Sequence, residues 1–409
     1  MIPPRSASPR ILLVLDTFKG SLPSAQVAQA IAQGLTLEAI PPDSLTILPI
    51  GDGGEGTLDA LASHAEPIEI PVRGPDGGAA LGRLLLRGRW AWIEAASACG
   101  LGLASSSALT GRTSFGVGQL ILAAVERGAR EIVVGCGGTA TLDLGLGLLS
   151  ALGAELTWGP PAPPLDPAPP PHDPQLAPAQ SPLPRSPLAE LTALDLRPAI
   201  AALAGANLVA AVDVDNILTG PRGALEFAPQ KGAPEASLPA LLADIDRAAL
   251  LLDQAALAAS SPAQPRAPRC SEVPGAGAAG GIAAAILALG GRATPAFDEV
   301  ASRLGLDEAL ERADLVVTGE GRLDATTWRG KIVHRVLSAS RGRARVWIVA
   351  GQATGSAVDR ALAEDAEIIL TLVSDSGEVG ESIASPGARL VRAGRQMGRA
   401  LRGWAPREG

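Results

Sequence analysis

Ile11-Leu-Leu-Val-Leu-Asp16-Thr-Phe-Lys-Gly-Ser-Leu-Pro-Ser24-Ala-Gln-Val27-Ala28-Gln-Ala-Ile31-Ala-Gln-Gly-Leu35 decides the fold class. Five consecutive apolar residues stop abruptly at Asp16, and from Ser24 the apolar positions Val27, Ala28, Ile31 and Leu35 recur at helical spacing. The order is strand, polar loop, helix. A strand that is apolar at every position is buried on both faces, as in a parallel sheet covered by helices. Its polar loop then lies at the strand's carboxyl end, where open α/β sheets bind ligands.

The same grammar recurs at Leu45–Ile50, followed by Gly51-Asp-Gly-Gly-Glu-Gly56 and a helical Leu58–His64. It changes between Pro67 and Ala95, where short alternating segments separated by Gly74-Pro-Asp-Gly-Gly78 and Arg87-Gly-Arg89 predict antiparallel hairpins. Further along, the patterns predict a helix over Phe115–Arg127, a strand over Glu131–Val134, a loop over Gly135–Thr141 and a helix ending at Gly153. A strand over Asn207–Val212 and a long helix from Pro234 to about Ala259 follow. Apolar strands then return at Ala313–Val317, Val346–Ala350 and Ile368–Val373. One parallel-sheet domain is therefore expected to be split by a second domain. Residues 160–187 carry too many prolines for a packed element and are expected to be an extended surface insertion.

The 409 residues carry a formal charge of −8 and show no basic stripe, which excludes nucleic acid or an anionic membrane as an expected partner. Cys99, Cys136 and Cys270 are far apart and odd in number, so neither a disulfide framework nor a metal-ligand spacing is present and a reducing cytoplasm is expected. His64, His172 and His334 show no paired spacing. No uninterrupted apolar run reaches membrane-spanning length, and Met1–Arg10 lacks an apolar signal core. Two familiar phosphate motifs fail on context. Gly275-Ala-Gly-Ala-Ala-Gly280 matches the dinucleotide fingerprint, with Asp298 at a suitable distance, but follows a charged, proline-broken segment rather than a buried strand. Gly330-Lys331 has Ala325 where a P-loop needs its first glycine and Ile332 where it needs Ser or Thr.

The composition is selective in another way. Of 34 lysines and arginines, the only lysines are Lys19, Lys231 and Lys331, each beside glycine. A compact ammonium suits a tight anion pocket better than a planar guanidinium does. Acidic residues gather in loops expected at strand ends: Asp16, Asp52, Glu55, Asp213, Asp215, Glu320 and Asp324. Carboxylates beside Lys19, Lys231, Lys331 and Arg322 make sense if a divalent cation joins them to phosphate oxygens. Gly135, Gly137 and Gly138, between a strand and a helix, would add backbone amides and a helix N-terminus for anion binding.

Taken together, Asp16-Thr-Phe-Lys-Gly-Ser21, Gly51-Asp-Gly-Gly-Glu-Gly-Thr57, Gly137-Gly-Thr-Ala-Thr-Leu-Asp143, Asp213-Val-Asp-Asn-Ile-Leu-Thr-Gly-Pro-Arg-Gly223, Pro229-Gln-Lys-Gly232, Val273-Pro-Gly-Ala-Gly-Ala-Ala-Gly-Gly281 and Thr318-Gly-Glu-Gly-Arg-Leu-Asp324 resemble bacterial glycerate kinases of the first type, in that family's order and over nearly the whole chain. The sequence departs from the family pattern at Thr139, Leu142 and Leu144, and in its enlarged proline-rich segment. The resemblance implies ATP-dependent phosphorylation of D-glycerate, with 2-phosphoglycerate favoured over 3-phosphoglycerate as product. It also implies a flavodoxin-like α/β domain, here residues 1–72 and 296–409, interrupted by a restriction-enzyme-like α/β domain, residues 73–295.

Phosphoryl transfer needs an in-line hydroxyl, cations on the phosphates and an acceptor for the hydroxyl proton. Residue chemistry assigns Asp213 and Asp215 to Mg2+, with Asn216 fixing their geometry. Asp324 is the preferred general base, oriented with the glycerate carboxylate by Glu320 and Arg322, and Asp16 and Asp52 could exchange roles with it. Lys19 and Lys331 neutralise phosphate or carboxylate, and Gly135, Gly137, Gly138 and Thr139 offer phosphate amides. Glu55 and Lys231 complete the expected substrate or phosphate-binding set. Three rivals are a kinase of another small hydroxy acid, a nicotinamide-dependent dehydrogenase using Gly275–Gly280, and a non-catalytic glycerate sensor. The sequence leaves homo-oligomerisation open.

Overall fold

The computed structural model describes residues 8–18, 22–51, 53–54, 56–62, 66–104, 108–159, 187–260, 269–373 and 386–404. The chain folds as two compact units, one formed by Met1–Asp52, Asp59–His64 and Ala296–Gly409 and the other by Gly53–Leu58 and Ala65–Pro295.

The first unit carries a wholly parallel five-stranded sheet. Across the sheet the strands run Ala366–Thr371, Arg345–Ala353, Leu315–Leu323, Ile11–Leu15 and Leu45–Ile47. Ile11–Leu15 is buried at every position, as an all-apolar central strand requires. Leu315–Leu323 and Arg345–Ala353 run further than the apolar pattern predicts. Their parallel pairing continues through Arg322 and Gln352 to Leu323 and Ala353. Backbone hydrogen bonding there holds Glu320 and Arg322 in a strand despite their polar side chains, so the expectation that they lie on a loop is corrected.

The helix Ser24–Leu37 buries Val27, Ala28, Ile31 and Leu35 on the expected face. It packs closely on the helix Pro386–Ala400 through glycine. A Cβ at Gly34 would meet the backbone of Val391, Gly394 and Arg395, and one at Gly394 would meet the carbonyl of Ile31. The buried carboxylate of Glu38, just past the end of Ser24–Leu37, accepts hydrogen bonds from Arg395, Arg399 and Arg402.

The second unit is built on a six-stranded sheet in the order Arg292–Pro295, Asn207–Val212, Glu131–Gly135, Trp90–Glu94, Ala79–Arg87, Ile68–Arg73. The first four are mutually parallel and the last two antiparallel. The change of grammar after Pro67 is thus a hairpin edge on a parallel sheet. The helix Phe115–Glu126 packs on that edge, and Gly82 leaves the room that Leu120 fills, since a Cβ there would lie 2.9 Å from the leucine methyls. Fully buried side chains such as Leu120 and Ile132 each contribute about 1.5–3 kcal/mol. The long helix begins at Leu238 rather than Pro234, because a single 3-10 turn over Glu235–Ser237 precedes it.

Of the proline-rich stretch, residues 160–186 lie outside the described residues, and Pro187 opens a short 3-10 turn. The strands that flank it, Glu155–Trp158 and Leu191–Asp195, pair antiparallel, and Gly159 donates to the carbonyl of Glu190 at 2.8 Å. Among the described residues no helix is long and apolar enough to cross a membrane.

Candidate active site

In the second unit the strand Glu131–Gly135 runs into the glycine loop at its carboxyl end. The loop is fixed on both sides. Leu101 donates to the carbonyl of Gly138 and Ala140 to that of Cys99, while Cys136 donates to Ala211. The amide of Gly137 turns to the carbonyl of Gly53 at 3.4 Å. Gly138 adopts the left-handed φ of 70° that its lack of a Cβ permits. The backbone N–H groups of Gly138 and Thr139 find no protein acceptor among the described residues. Of the four residues offered as phosphate amides, these two have donors to spare, and those of Gly135 and Gly137 are engaged in the sheet and the turn.

No helix N-terminus completes this loop, contrary to the sequence expectation. The next helix, Leu146–Ala151, starts eight residues after Gly138, and the amides of Leu146, Gly147 and Leu148 already have acceptors in Asp143 and Ser114. The buried carboxylate of Asp143 accepts from the amides of Ser114 (2.7 Å), Gly145 (3.1 Å) and Gly147 (3.1 Å) and from the Ser114 hydroxyl (2.8 Å). The Ser114 hydroxyl oxygen in turn accepts from Leu148. Burial raises the Asp143 pKa, and the hydrogen bonds from Ser114, Gly147 and Gly145 oppose that rise. Asp143 is a structural cap that ties two helix starts together.

Lys231 was expected to face phosphate, but it is 6% exposed and faces the protein. Its Nζ donates to the carbonyl of Thr141 at 2.8 Å and approaches the Thr139 hydroxyl at 3.4 Å. Arg112 closes the same network by donating to the carbonyls of Ala140 (3.2 Å) and Lys231 (2.8 Å). Burial brings the ammonium down to about 8, and Cys99 and Asp143 act in the opposite direction. Burial also pushes the neighbouring Cys99 thiol up to about 12 and raises that of Cys136, so both thiols are inert packing groups.

Asp213 and Asp215 follow the strand Asn207–Val212 and are both exposed. Asn216 does not bond to either. Its Nδ2 donates to the carbonyl of Arg222 (2.6 Å) and to Glu226 Oε2 (2.7 Å), closing the loop on itself. The glycines of Val273–Gly281 explain how this loop and the glycine loop are carried. A Cβ at Gly277 would enter the carbonyl of Ile217, one at Gly280 that of Thr141, and one at Gly281 the backbone of Leu144. Gly277 donates to Asn216 O, and Leu144 donates to Gly280 O, each at 2.9 Å. The apparent dinucleotide fingerprint is a backbone packing seat under two site loops.

In the first unit, Asp16 follows the strand Ile11–Leu15 and donates its amide to the carbonyl of Gly319, immediately before Glu320. The Asp16 carboxylate accepts the amide of Thr17 at 2.6 Å. Glu320 is buried in its strand. Its Oε1 accepts from the Thr327 hydroxyl at 2.5 Å, and its Oε2 pairs with Lys331 Nζ at 3.3 Å. Thr327 Oγ1 also accepts the Asp324 amide at 3.1 Å, so Glu320 holds Asp324 through one hydroxyl. The Asp324 carboxylate accepts from the Thr326 hydroxyl (2.6 Å) and amide (2.8 Å) and lies 3.3 Å from Arg322 Nε. Hydrogen bonding from Thr326 is the main reason its pKa is lowered, whereas burial raises that of Glu320. One carboxylate is ionised and accessible, and the other supports it from inside.

A sequence model of the glycerate kinase family matches residues 11–402. The chain belongs to the glycerate kinase family. It is 31% identical over 408 residues to the glycerate 2-kinase of Escherichia coli strain K12, spanning 96% of this chain and 98% of that protein. The glycerate kinase of Bacillus subtilis strain 168 is 35% identical over 342 residues, spanning 81% of this chain and 82% of that one. A crystal structure from Salmonella typhimurium LT2, assigned to glycerate kinase 2, superposes with a TM-score of 0.74 at 29% identity and covers 96% and 97% of the two chains. The mixed α/β architecture with parallel sheets is shared with that structure.

Within this glycerate kinase family chain, the first unit brings together Asp16, Glu320, Arg322, Asp324 and Lys331. The second unit groups Gly138 and Thr139 over Lys231 and leaves Asp213 and Asp215 on an open loop. Lys19, Asp52 and Glu55 lie outside the described residues. Sequence reading did not single out Glu94, Arg112, Ser114 and Thr327. Each is one polar residue in an ordinary context, without a motif to announce it. Thr327 alone offers a signal, three residues after Asp324, the separation at which a hydroxyl meets a turn amide.

Proposed function

We propose that the protein phosphorylates D-glycerate with ATP to give 2-phosphoglycerate. The observation that carries this reading is the relationship over 96% of the chain to a protein described as a glycerate 2-kinase. The chemistry of both units is compatible with it. Asp324, ionised in the neutral range, accepts the proton of the attacking hydroxyl, with Arg322 orienting it and Glu320 with Thr327 fixing its backbone. Lys331 and Arg322 neutralise carboxylate or phosphate charge, and the amides of Gly138 and Thr139 receive a phosphate oxygen. Asp16, Lys19, Asp52 and Glu55 belong to the same proposed set by their sequence positions.

The family's kinase chemistry implies Mg2+, and the donor set fits that ion. Among the described residues no group of three His, Cys, Asp or Glu side chains could enclose a metal. Two accessible carboxylates suit Mg2+, which keeps several waters and binds through one or two carboxylates plus substrate phosphates. Asp213 and Asp215 would hold it, and it would supply charge neutralisation on the nucleotide phosphates. Release of ADP in a coupled assay, dependent on D-glycerate, tests the assignment. ADP release at equal rates with unrelated hydroxy acids would redirect it to another small hydroxy acid.

A further inference from the structure

We infer that Glu94 is a positioning residue for phosphoryl transfer: its buried carboxylate fastens the turn residues Gly53, Gly54, Gly56 and Thr57 to the glycine loop. Glu94 ends the strand Trp90–Glu94 and stands in register beside Gly135, where the glycine loop begins. It is 3% exposed, too enclosed to touch a reactant. Its Oε1 accepts the amide of Gly56 at 2.7 Å, and its Oε2 lies 3.8 Å from Arg83 Nη1. The turn is braced internally by the Gly53 amide, which donates to the Thr57 hydroxyl at 3.0 Å.

The turn meets the glycine loop backbone to backbone. Gly53 O receives the Gly137 amide, a Cβ at Gly135 would lie 2.5 Å from Gly53 O, and one at Gly137 would lie 2.5 Å from Gly54 Cα. Such a contact has little side-chain bulk to keep it in place. The hydrogen bond that the buried Glu94 oxygen accepts from Gly56 supplies the missing constraint. The route from Glu94 runs through Gly56 and Gly53 to Gly137, the residue before the open amide of Gly138. If that amide shifts, a phosphate oxygen loses a preorganised donor.

The inference rests on the glycerate kinase reading. Its test compares Glu94→Gln, which keeps the shape and an oxygen acceptor for Gly56, with Glu94→Ala, which removes the acceptor. Steady-state kinetics for ATP and D-glycerate would be combined with hydrogen exchange at the Gly56 amide. Glu94→Ala is expected to lose about 10- to 100-fold in kcat/KM, the scale of an ångström-level misplacement. Its Gly56 amide should exchange faster, while Glu94→Gln stays within about fivefold of wild type in kcat/KM. A glutamine variant as impaired as the alanine variant, in protein that remains folded, would overturn the inference by showing that the charge itself acts. Wild-type kinetics in a folded alanine variant would overturn it by showing that the fastening is irrelevant. Should the alanine variant not fold, Glu94→Asp takes its place, because the shorter side chain withdraws the oxygen from Gly56; the same loss and faster exchange are expected, and wild-type kinetics in that variant would overturn the inference. A wild-type protein that releases no ADP with glycerate defeats the glycerate kinase reading instead, and with it the catalytic purpose of the fastening.

Discussion

Lys231 Nζ donates to the carbonyl oxygen of Thr141 at 2.8 Å, across 90 residues of chain. This bond turns a lysine expected in a phosphate pocket into a buried strut beneath the glycine loop. The groups facing it are Cys99, Cys136, Asp143 and Arg112, and their effects are smaller than that of burial. Burial lowers its pKa from 10.5 to about 8. Between those values the unfolded chain holds a proton that the folded chain has released, so folding stability rises with pH. The stability of wild type relative to Lys231→Met should therefore climb from pH 7.5 to pH 10, by at most about 3 kcal/mol. Urea unfolding of both proteins at several pH values measures this, and a flat difference would place the ammonium in a solvated setting.

The open loop after Asn207–Val212 gives a metal prediction. Asp215→Asn should lower turnover by at least about a hundredfold, with partial rescue by high Mg2+ or Mn2+, if Asp215 is a ligand. Titrating metal against rate for wild type and variant is sufficient. Unchanged turnover with unchanged metal dependence removes Asp215 from the site.

The flanks of the proline-rich segment support a deletion. Trp158 pairs with Leu191, so the ends of the excised piece are already held together by a ladder. Replacing residues 160–186 by a short Gly/Ser linker should leave turnover and both Michaelis constants within about twofold, because closing a shorter loop between fixed ends costs little. A large fall in turnover of the folded variant would make the segment part of the working enzyme.

Lys331 is half exposed and pairs with the buried Glu320, so among the described residues no tight pocket excludes a guanidinium on steric grounds. Lys331→Ala should lower kcat/KM by about 30- to 1,000-fold, as expected for loss of a phosphate or carboxylate contact. Lys331→Arg should recover part of that loss, because the charge returns without the compact ammonium geometry. Kinetics with each substrate varied would show it, and an alanine variant with normal kinetics would reduce Lys331 to a surface ion pair.

Much of the fold is legible in local pattern. Ile11–Leu15, Asn207–Val212 and the helix Ser24–Leu37 follow from apolar runs and helical spacing, because burial on two faces or one stripe is written residue by residue. Glu320 and Arg322 escaped because strand length there is decided by the neighbouring backbone of Gln352 and Ala353, which no local pattern reveals. The glycines of Val273–Gly281 looked like a cofactor motif. Their reason is contact with Ile217, Thr141 and Leu144, distant in sequence. Lys231 was recognised as unusual, but its direction, inward to Thr141 rather than outward to an anion, depends on a carbonyl 90 residues away.

Every role proposed for these residues depends on phosphoryl transfer from ATP to the 2-hydroxyl of D-glycerate. Coupled ADP release followed by identification of the product isomer tests it most directly. Glycerate-dependent ADP formation in stoichiometric step with 2-phosphoglycerate is expected, strongly reduced in Asp324→Asn. Absence of glycerate-dependent ADP, or a product other than 2-phosphoglycerate, would contradict it.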